Sequence, residues 1–231
     1  MELKQSEQFP VVPWTIRDIW LGMACLVLLM VGASLTVVLS VGLNSGLLLG
    51  LMELSLLVPV GYFALWKYKG GWGSLGLGGF TGRAVGLGYG LFLLSYVFNV
   101  VYSLLLSHFH LRMQTSLAPL FSGFSFPWWL LVVGVVVAPV VEEIFFRGFV
   151  FGGMRKKYGW RKAALISSAF FAVIHLEWTA FLPIFILGCF FAYLYHRSNS
   201  IWPAILVHAS TNAWAMGAAY WAAKTGIPGL K

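Results

Sequence analysis

The sequence predicts an all-α protein, a polytopic bundle of about seven transmembrane helices. Of its 231 residues, 60% are hydrophobic and only 10% are charged, and the mean hydropathy is +0.85. Most of the apolar residues lie in runs of about 20, the length that an α-helix needs to cross a bilayer. This composition excludes a soluble domain with a large core. We expect a single membrane domain, residues 1–231.

Seven apolar runs account for nearly the whole chain. The first two are separated by a very short turn, and a Gly-rich loop containing Trp72 follows the second. Residues 107–126 are predicted to be amphipathic or re-entrant, and they would add an eighth span if they cross the membrane. The predicted spans are residues 19–43, 47–66, 84–106, 128–154, 163–176, 181–195 and 201–223.

The basic residues predict the orientation of these spans. With the N-terminus in the cytoplasm, eleven of the fifteen Lys and Arg residues fall in cytoplasmic segments, three on the opposite side and one inside a span. This bias is a positive-inside signal. It predicts a plasma-membrane protein with a cytoplasmic N-terminus and the C-terminus on the opposite side. The eleven are Lys4, Arg17, Lys67, Lys69, Arg83, Arg155, Lys156, Lys157, Arg161, Lys162 and Arg197.

The net charge of +8 does not indicate nucleic-acid binding, because the basic residues are clustered in short loops. The tract Arg155-Lys156-Lys157 is predicted to set topology and to contact anionic lipid. Cys25 and Cys189 lie within apolar runs. We predict that they are small buried hydrophobic residues, and neither a disulfide nor a metal pair.

Three charged residues stand in the fourth span, where a lipid-facing helix would carry Leu or Val. A charge at the centre of a membrane helix costs roughly 2.5–3.5 kcal/mol on insertion scales, so Glu142, Glu143 and Arg147 require an explanation. Glu143 and Arg147 are four residues apart and can form an ion pair on one helix face. Glu142 lies about 100° around the helix from Glu143 and can face another helix.

Three further polar residues are predicted at a similar depth. His175 follows Phe171 by four residues on the fifth span, and His208 and Asn212 are four residues apart on the seventh. With a rise of 1.5 Å per residue, these residues and Glu142 lie about 10–20 Å from the cytoplasmic ends of their spans. That depth is near the middle of a hydrocarbon core about 30 Å thick, so the four side chains could converge.

Such a set of side chains leaves several chemical interpretations open. A carboxylate with a neutral His can act as a general base on water, and a second His with an Asn can stabilise an oxyanion. Alternatively, Glu142, His175 and His208 could hold a zinc ion with an open fourth position. Without chemistry, the charges would be a buried ion-pair network or part of an ion path. Glu53, in the second span, is either a structural contact or a further member of the site.

The order and spacing of these motifs resemble the CPBP intramembrane proteases, which comprise the type II CAAX prenyl endopeptidases and the bacteriocin-processing (Abi) proteins. The motifs are Glu142-Glu143-x-x-x-Arg147, Phe171-x-x-x-His175 and His208-x-x-x-Asn212, on three separate spans. They cover about residues 127–223, and Gly148 also fits. The stretch Trp72-Gly73-Ser74-Leu75-Gly76-Leu77 is a weaker upstream similarity.

The resemblance implies a catalytic set of Glu142, His175, His208 and Asn212. Glu142 would be the general base, His175 would assist it, and His208 with Asn212 would stabilise the oxyanion. Glu143 and Arg147 would support the site structurally. The implied substrate is a membrane-associated peptide or protein.

We expect no required cofactor, with Zn²⁺ as the alternative. The competing functions are a non-proteolytic membrane scaffold or regulator that retains the fold and binds a membrane protein, and, more weakly, a transporter.

Overall fold

The computed structural model describes residues 9–39, 45–113 and 128–225, and every regular element in these ranges is a helix. The predicted all-α class is therefore confirmed. Four helices of the described part are long and apolar enough to cross a membrane, which leaves the number of seven or eight spans a prediction. The four are Ile16–Leu35, Gly82–His108, Trp128–Val173 and Trp178–Ser198.

The predicted spans fall on helices or on runs of consecutive helical segments. Residues 40–43, at the end of the first span, lie outside the described residues. The helices are α1 (Ile16–Leu39), α2 (Ser45–Ser55), α3 (Leu57–Val60), π1 (Gly61–Lys67), α4 (Gly82–His108), α5 (Trp128–Val132), π2 (Val133–Val137), α6 (Ala138–Glu143), π3 (Ile144–Phe151), α7 (Gly152–Val173), α8 (Phe181–Ser198) and α9 (Trp202–Thr225), where π marks a π-helix.

Helix α1 begins with a capping-box arrangement. The Asp18 N–H donates to Oγ1 of Thr15 at 3.3 Å, and the Thr15 N–H donates to Oδ2 of Asp18 at 2.8 Å, which satisfies donors that have no partner within the helix. Asp18 also accepts hydrogen bonds from Lys67 Nζ at 2.6 Å and from the Tyr68 hydroxyl at 2.8 Å. The start of α1 therefore lies beside the end of π1, so the two segments run antiparallel.

The second span is divided into α2, α3 and π1 near Pro59. Proline lacks an N–H, and its ring clashes with the carbonyl four residues earlier, here that of Ser55. The break falls at Leu56, whose N–H bonds the Glu53 carbonyl at 3.1 Å, one residue nearer than in an α-helix. The helix is thus irregular beside its one acidic residue.

Helix α4 is the most exposed of the four candidate spans. Thr81 caps it, with Oγ1 accepting the Ala84 N–H at 3.4 Å. Leu93, Val101 and Leu104 are exposed, as expected for a helix that faces lipid. After His108 the chain turns, and residues 114–127, which make up most of the predicted re-entrant segment, lie outside the described residues.

The fourth span is one long helix in which α-helical and π-helical turns alternate, from α5 to π3. π-Helical turns inside α-helices are frequent at functional sites. All eight residues of π3 are buried, so this segment is at the centre of the bundle and does not face lipid. Neighbouring side chains bond its carbonyls: Trp14 Nε1 donates to Phe149 O at 3.0 Å, and Ser167 Oγ donates to Phe146 O at 2.8 Å.

The prediction of a basic loop between the fourth and fifth spans is wrong, because these residues are helical. Helix α7 includes these residues and is interrupted at Gly159, where φ is +74° and ψ is +158°. Lys and Arg are good helix formers, and glycine adopts these backbone angles without strain. The chain still reverses there, because Ser167 and Phe171 of α7 pack back against Phe146. The two predicted spans are therefore antiparallel and joined at a single glycine.

The connections predicted to be cytoplasmic lie at one end of the bundle. The Ile201 N–H donates to Gly76 O at 2.9 Å, which joins the α8–α9 connection to the Gly-rich loop. Trp160, after the turn in α7, stacks on His196 with ring centroids 4.6 Å apart, and Phe9 stacks on His196 at 5.5 Å. Which side of the membrane this end faces remains a prediction.

The core is rich in aromatic side chains and surrounds π3. Phe145, Phe146 and Phe149 are fully buried there. Cys25 and Cys189 are free thiols of intermediate exposure, so their predicted burial is only partial.

Candidate active site

Glu143 and Arg147 form a buried ion pair. Nη1 of Arg147 donates to Oε1 of Glu143 at 3.0 Å, and both side chains are completely buried. The spacing of four residues predicted this pair. Removing one partner of a buried pair costs about 3–5 kcal/mol, because it leaves an uncompensated charge.

The rest of the Arg147 guanidinium is enclosed by a carbonyl and by aromatic rings. Nη2 donates to Gly188 O at 3.1 Å, and the guanidinium carbon lies 4.4 Å from the ring centre of Phe171 and 5.1 Å from that of Phe191. These distances are within the range of cation–π attraction. A Cβ at position 188 would lie 3.0 Å from Ser168 Cβ and 3.1 Å from Nη2. Glycine at this position therefore lets α8 approach the arginine.

His208, on α9, contacts both glutamates. Its Nδ1 lies 3.0 Å from Oε1 of Glu143, and its Nε2 lies 3.5 Å from Oε2 of Glu142. The Glu143 oxygen also accepts from Arg147, and a carboxylate can only accept, so we assign the ring hydrogen to Nδ1. In neutral His208, Nε2 then carries the lone pair that faces Glu142. A proton between these two atoms can be held by either group.

Glu142 is buried, and its Oε2 has no hydrogen-bond partner in the described part of the chain. A buried carboxylate oxygen of this kind binds a proton or a donor group strongly. The ionisable side chain that Glu142 faces is that of His208, at 3.5 Å. The reason is that α9 packs directly against α6.

His175 lies in the turn after α7 and not inside a helix as predicted. The helix ends at Val173, and Leu176 has a φ of +55°. Nδ1 of His175 lies 2.7 Å from Phe171 O, one of the last carbonyls of the helix, which lack partners within it. A carbonyl can only accept, so Nδ1 carries the hydrogen, and Nε2 is the nitrogen left for chemistry.

The two histidines are connected through an aromatic ring. Phe171 meets His175 edge to face with centroids 4.7 Å apart, and it meets His208 in the same way at 5.9 Å. His175 is also exposed at the protein surface, whereas His208 is buried. The structure therefore brings His175 near the cluster without a hydrogen bond to Glu142 among the described residues.

Asn212 lies one turn beyond His208 on the same face of α9. Its Nδ2 donates to Gly134 O in π2 at 2.8 Å. One further turn along, Met216 fills the space beside the same glycine, since a Cβ at Gly134 would lie 2.5 Å from its sulfur. Helix α9 thus follows the long charged helix over three turns and sets the position of Asn212.

The Gly-rich loop packs against the helix that carries Glu142, Glu143 and Arg147. A Cβ at Gly148 would lie 2.7 Å from the Leu75 carbonyl oxygen, so the glycine after Arg147 lets this loop pack against π3. Gly76 has a φ of +81° and lies against the Tyr195 ring. The weak upstream motif and Gly148 are therefore parts of one contact.

The described residues contain no group of three or more His, Cys, Asp or Glu side chains arranged to hold a metal ion. The alternative zinc set of Glu142, His175 and His208 is thus not assembled in this structure. Binding zinc with this set would require His175 to turn toward Glu142, whereas His208 could keep its Nδ1 bond to Glu143, because its Nε2 already faces Glu142.

The sequence did not reveal the glycines whose backbone carbonyls accept hydrogen bonds from the side chains of the site. Gly188 and Gly134 accept hydrogen bonds from Arg147 and Asn212 through their carbonyls. Small residues in apolar helices are a signal of close helix packing, but glycine is too frequent in this chain, with 26 residues, for that signal to select these two.

Comparison with known proteins shows that the segment carrying this site is similar to a known family. Residues 124–214 match the family described as type II CAAX prenyl endopeptidase Rce1-like. All three motifs lie within this match, close to the predicted limits of 127–223.

Two curated bacterial proteins are similar to this chain over segments about as long as the family match. "Putative membrane peptidase YdiL" of Bacillus subtilis (strain 168) is 34% identical over 87 residues, which are 38% of this chain and 36% of that protein. "UPF0177 protein YxdF" of Lactococcus lactis subsp. lactis (strain IL1403) is 34% identical over 82 residues, which are 35% of this chain and 44% of that protein. The matches thus span less than half the length of each relative. No solved structure matches the chain.

These matches and the four apolar helices identify an integral membrane protein. The resemblance to the CPBP intramembrane proteases, predicted from three motifs, is confirmed over residues 124–214.

Proposed function

We propose that this protein is an intramembrane endopeptidase that hydrolyses a peptide bond of a membrane-associated peptide or protein. The observation that carries the proposal is the buried Glu142 Oε2, which faces Nε2 of His208 at 3.5 Å within the segment that matches a peptidase family. A carboxylate and an imidazole in this relation can take a proton from water and return it to a leaving group.

In the proposed reaction, Glu142 accepts a proton from water while the water oxygen attacks the peptide carbonyl carbon. The tetrahedral intermediate then loses its amine, which receives the proton from Glu142 as the carbon–nitrogen bond breaks. The products are a carboxylate and a free amine. His175 assists through Nε2, the ring nitrogen that its bond to the Phe171 carbonyl leaves unused.

We assign the oxyanion to His208 and Asn212, on one face of α9. In the free protein these side chains bond Glu143 and Gly134. Substrate that binds between α9 and the charged helix would draw Asn212 from Gly134 to the oxyanion, a rearrangement of the induced-fit kind. His208 keeps its bond to Glu143 and donates to the oxyanion through Nε2 when the proton between this nitrogen and Glu142 rests on the histidine. Glu143 and Arg147 act as structural support, because their pair holds Nδ1 of His208 in place.

The proposed mechanism uses no metal ion. Zinc held by Glu142, His175 and His208 is the alternative, and it predicts a different result. We expect peptidase activity to survive dialysis against a strong chelator, with no stoichiometric metal in the purified protein by mass spectrometry. Loss of activity on chelation, with recovery on addition of Zn²⁺, would favour the metal mechanism.

The substrate class follows from the place of the site. Glu142 and His208 lie on helices of a membrane bundle, so the scissile bond must itself be held in or at the bilayer. The family that matches residues 124–214 is described as a type II CAAX prenyl endopeptidase family. We therefore propose a membrane-associated peptide or protein as the substrate, and we place the protein in the plasma membrane with a cytoplasmic N-terminus.

The decisive experiment compares the wild type with Glu142→Gln. The substitution keeps the shape of the side chain and removes the base, so we expect cleavage to fall by at least about 100-fold at unchanged yield. Comparative peptidomics of membranes from cells that express each form would identify the accumulating substrate. A cellular phenotype restored equally well by both forms would support the competing function, a membrane scaffold that retains the fold.

A further inference from the structure

Glu53, on α2, is an acidic residue that the mechanism above does not use. Helix α2, which carries Glu53, packs against α6, which carries Glu142. Oε2 of Glu53 is buried without a hydrogen-bond partner in the described part of the chain, and Oε2 of Glu142 is in the same condition. Two neighbouring carboxyl groups therefore each have an unsatisfied oxygen.

The neighbouring cationic groups are bound mainly to Glu143, and Nε2 of His208 faces Glu142 at 3.5 Å. The Arg147 guanidinium is bound to Glu143 and to the Gly188 carbonyl, and Nδ1 of His208 is also bound to Glu143. Two ionised carboxylates repel each other strongly in a medium of low dielectric constant. A proton held between them removes the repulsion and gives each oxygen a partner, as in other carboxyl pairs.

The backbone of α2 is shaped at this residue. The Glu53 carbonyl accepts the Leu56 N–H in a tightened turn, where α2 ends and α3 begins. Such a break changes the direction in which the following and preceding turns point. The irregularity near Pro59 therefore begins at Glu53, on the helix that packs against α6.

We propose that Glu53 is a positioning residue for Glu142, holding a proton that it donates to Glu142 directly or through the attacking water. This inference rests on the proposed function. Glu53 lies outside residues 124–214, so the N-terminal part of the chain would complete a site whose other members come from the family-matched part. The role of Glu53 is to fix the reactive oxygen and not to touch the peptide bond.

The first test measures kcat and KM separately for three variants of Glu53. Glu53→Leu removes the donor, and we expect kcat to fall about 10- to 100-fold, the range for groups that orient a reactive partner, with KM within about a factor of two. Glu53→Asp keeps a carboxyl group and should recover part of kcat. Glu53→Gln keeps a donor and should lie between the other two variants.

The control is Ser55→Ala, on the same helix. The Ser55 hydroxyl bonds the Met52 carbonyl of its own helix, so this variant should keep the wild-type kcat. A purely structural role of Glu53 would instead lower yield and melting temperature while folded Glu53→Leu kept its kcat. That result would overturn the proposal.

The second test needs no activity and no variant. A hydrophobic carbodiimide reacts with protonated carboxyl groups in apolar surroundings, and mass mapping of the labelled wild type locates the adducts. We expect labelling of Glu53 or Glu142 at neutral pH and none of Asp18, which is bound to Lys67. Labelling of neither site carboxyl would overturn the shared proton. If the protein proved inactive, the labelling result would still stand, so failure of this inference and failure of the proposed function are distinguishable.

Discussion

The buried half of the candidate site and its rim are held by different kinds of bonds. In the buried half, Glu143 accepts hydrogen bonds from the side chains of Arg147 and His208. At the rim, His175 and Asn212 are bonded to backbone carbonyls, those of Phe171 and Gly134. Side chains bonded to one another are fixed as a unit, whereas side chains bonded to the backbone can each be released alone.

This difference separates the residues that maintain the fold from those that can rearrange during a reaction. The buried half is complete before any substrate arrives, and it fixes the ring of His208. The rim residues are within reach of the cluster but are turned to the backbone, so they must move to take part. We therefore expect substitutions in the buried half to lower stability, and substitutions at the rim to lower activity with little loss of stability.

The strongest way to break the buried half is Arg147→Leu. The change leaves Glu143 ionised and enclosed, and we expect a loss of about 3–5 kcal/mol in the free energy of unfolding. Yield and melting temperature in detergent measure it. The double variant Glu143→Leu/Arg147→Leu removes both charges and should recover part of the loss. A single variant that melts like the wild type would show that the buried pair does not hold the helix.

Substituting each of the two histidines in turn compares the buried half with the rim. His208→Ala removes a bond to a buried carboxylate, so we expect it to cost about 1–3 kcal/mol of stability as well as activity. His175→Ala should cost less than about 1 kcal/mol, because the residue is exposed and bonds its own helix, yet it should lower kcat by about 100-fold or more. Thermal melting and turnover of the same preparations test this. Equal destabilisation by both variants would contradict the division.

The smallest expected effect concerns the glycine beside the guanidinium. In Gly188→Ala, the new Cβ would lie 3.0–3.1 Å from Ser168 and Arg147, so the neighbours must shift by a few tenths of an ångström. We expect a loss of about 1 kcal/mol, at the low end for overpacking. Gly90→Ala on α4 is the matched control, since nothing lies within 4 Å of its added Cβ. A melting temperature lowered equally by both would argue against a specific contact.

The sequence allowed prediction of the features that depend on local spacing. Apolar run length predicted the helices, and the spacing of four residues predicted the Glu143–Arg147 pair, because both follow from the geometry of a single helix. The order of three motifs predicted the resemblance to a protease family over residues 124–214. These features need no knowledge of how one helix packs on another.

The features that escaped prediction depend on tertiary contacts. The bond from Asn212 to Gly134 joins residues 78 positions apart, and no periodicity reports such a pair. The end of α7 before His175 was missed because an apolar sequence continues past the last helical residue. The helical structure on both sides of Gly159 was missed because charged residues were taken to indicate a loop.

The π segments on either side of α6 have a consequence for the phase of the helix. Each π turn takes in an extra residue between hydrogen-bonded partners, and one residue corresponds to about 100° of rotation in an α-helix. Ala138–Glu143 is therefore a short α-helical segment, and the π segments before and after it set its rotation about the helix axis. Removing one residue from π2 would turn both glutamates by about 100° in the same sense, so Glu143 would take the direction of Glu142, and Glu142 that of Val141. The role of Glu142 in the site thus depends on the register of the main chain as much as on its carboxyl group.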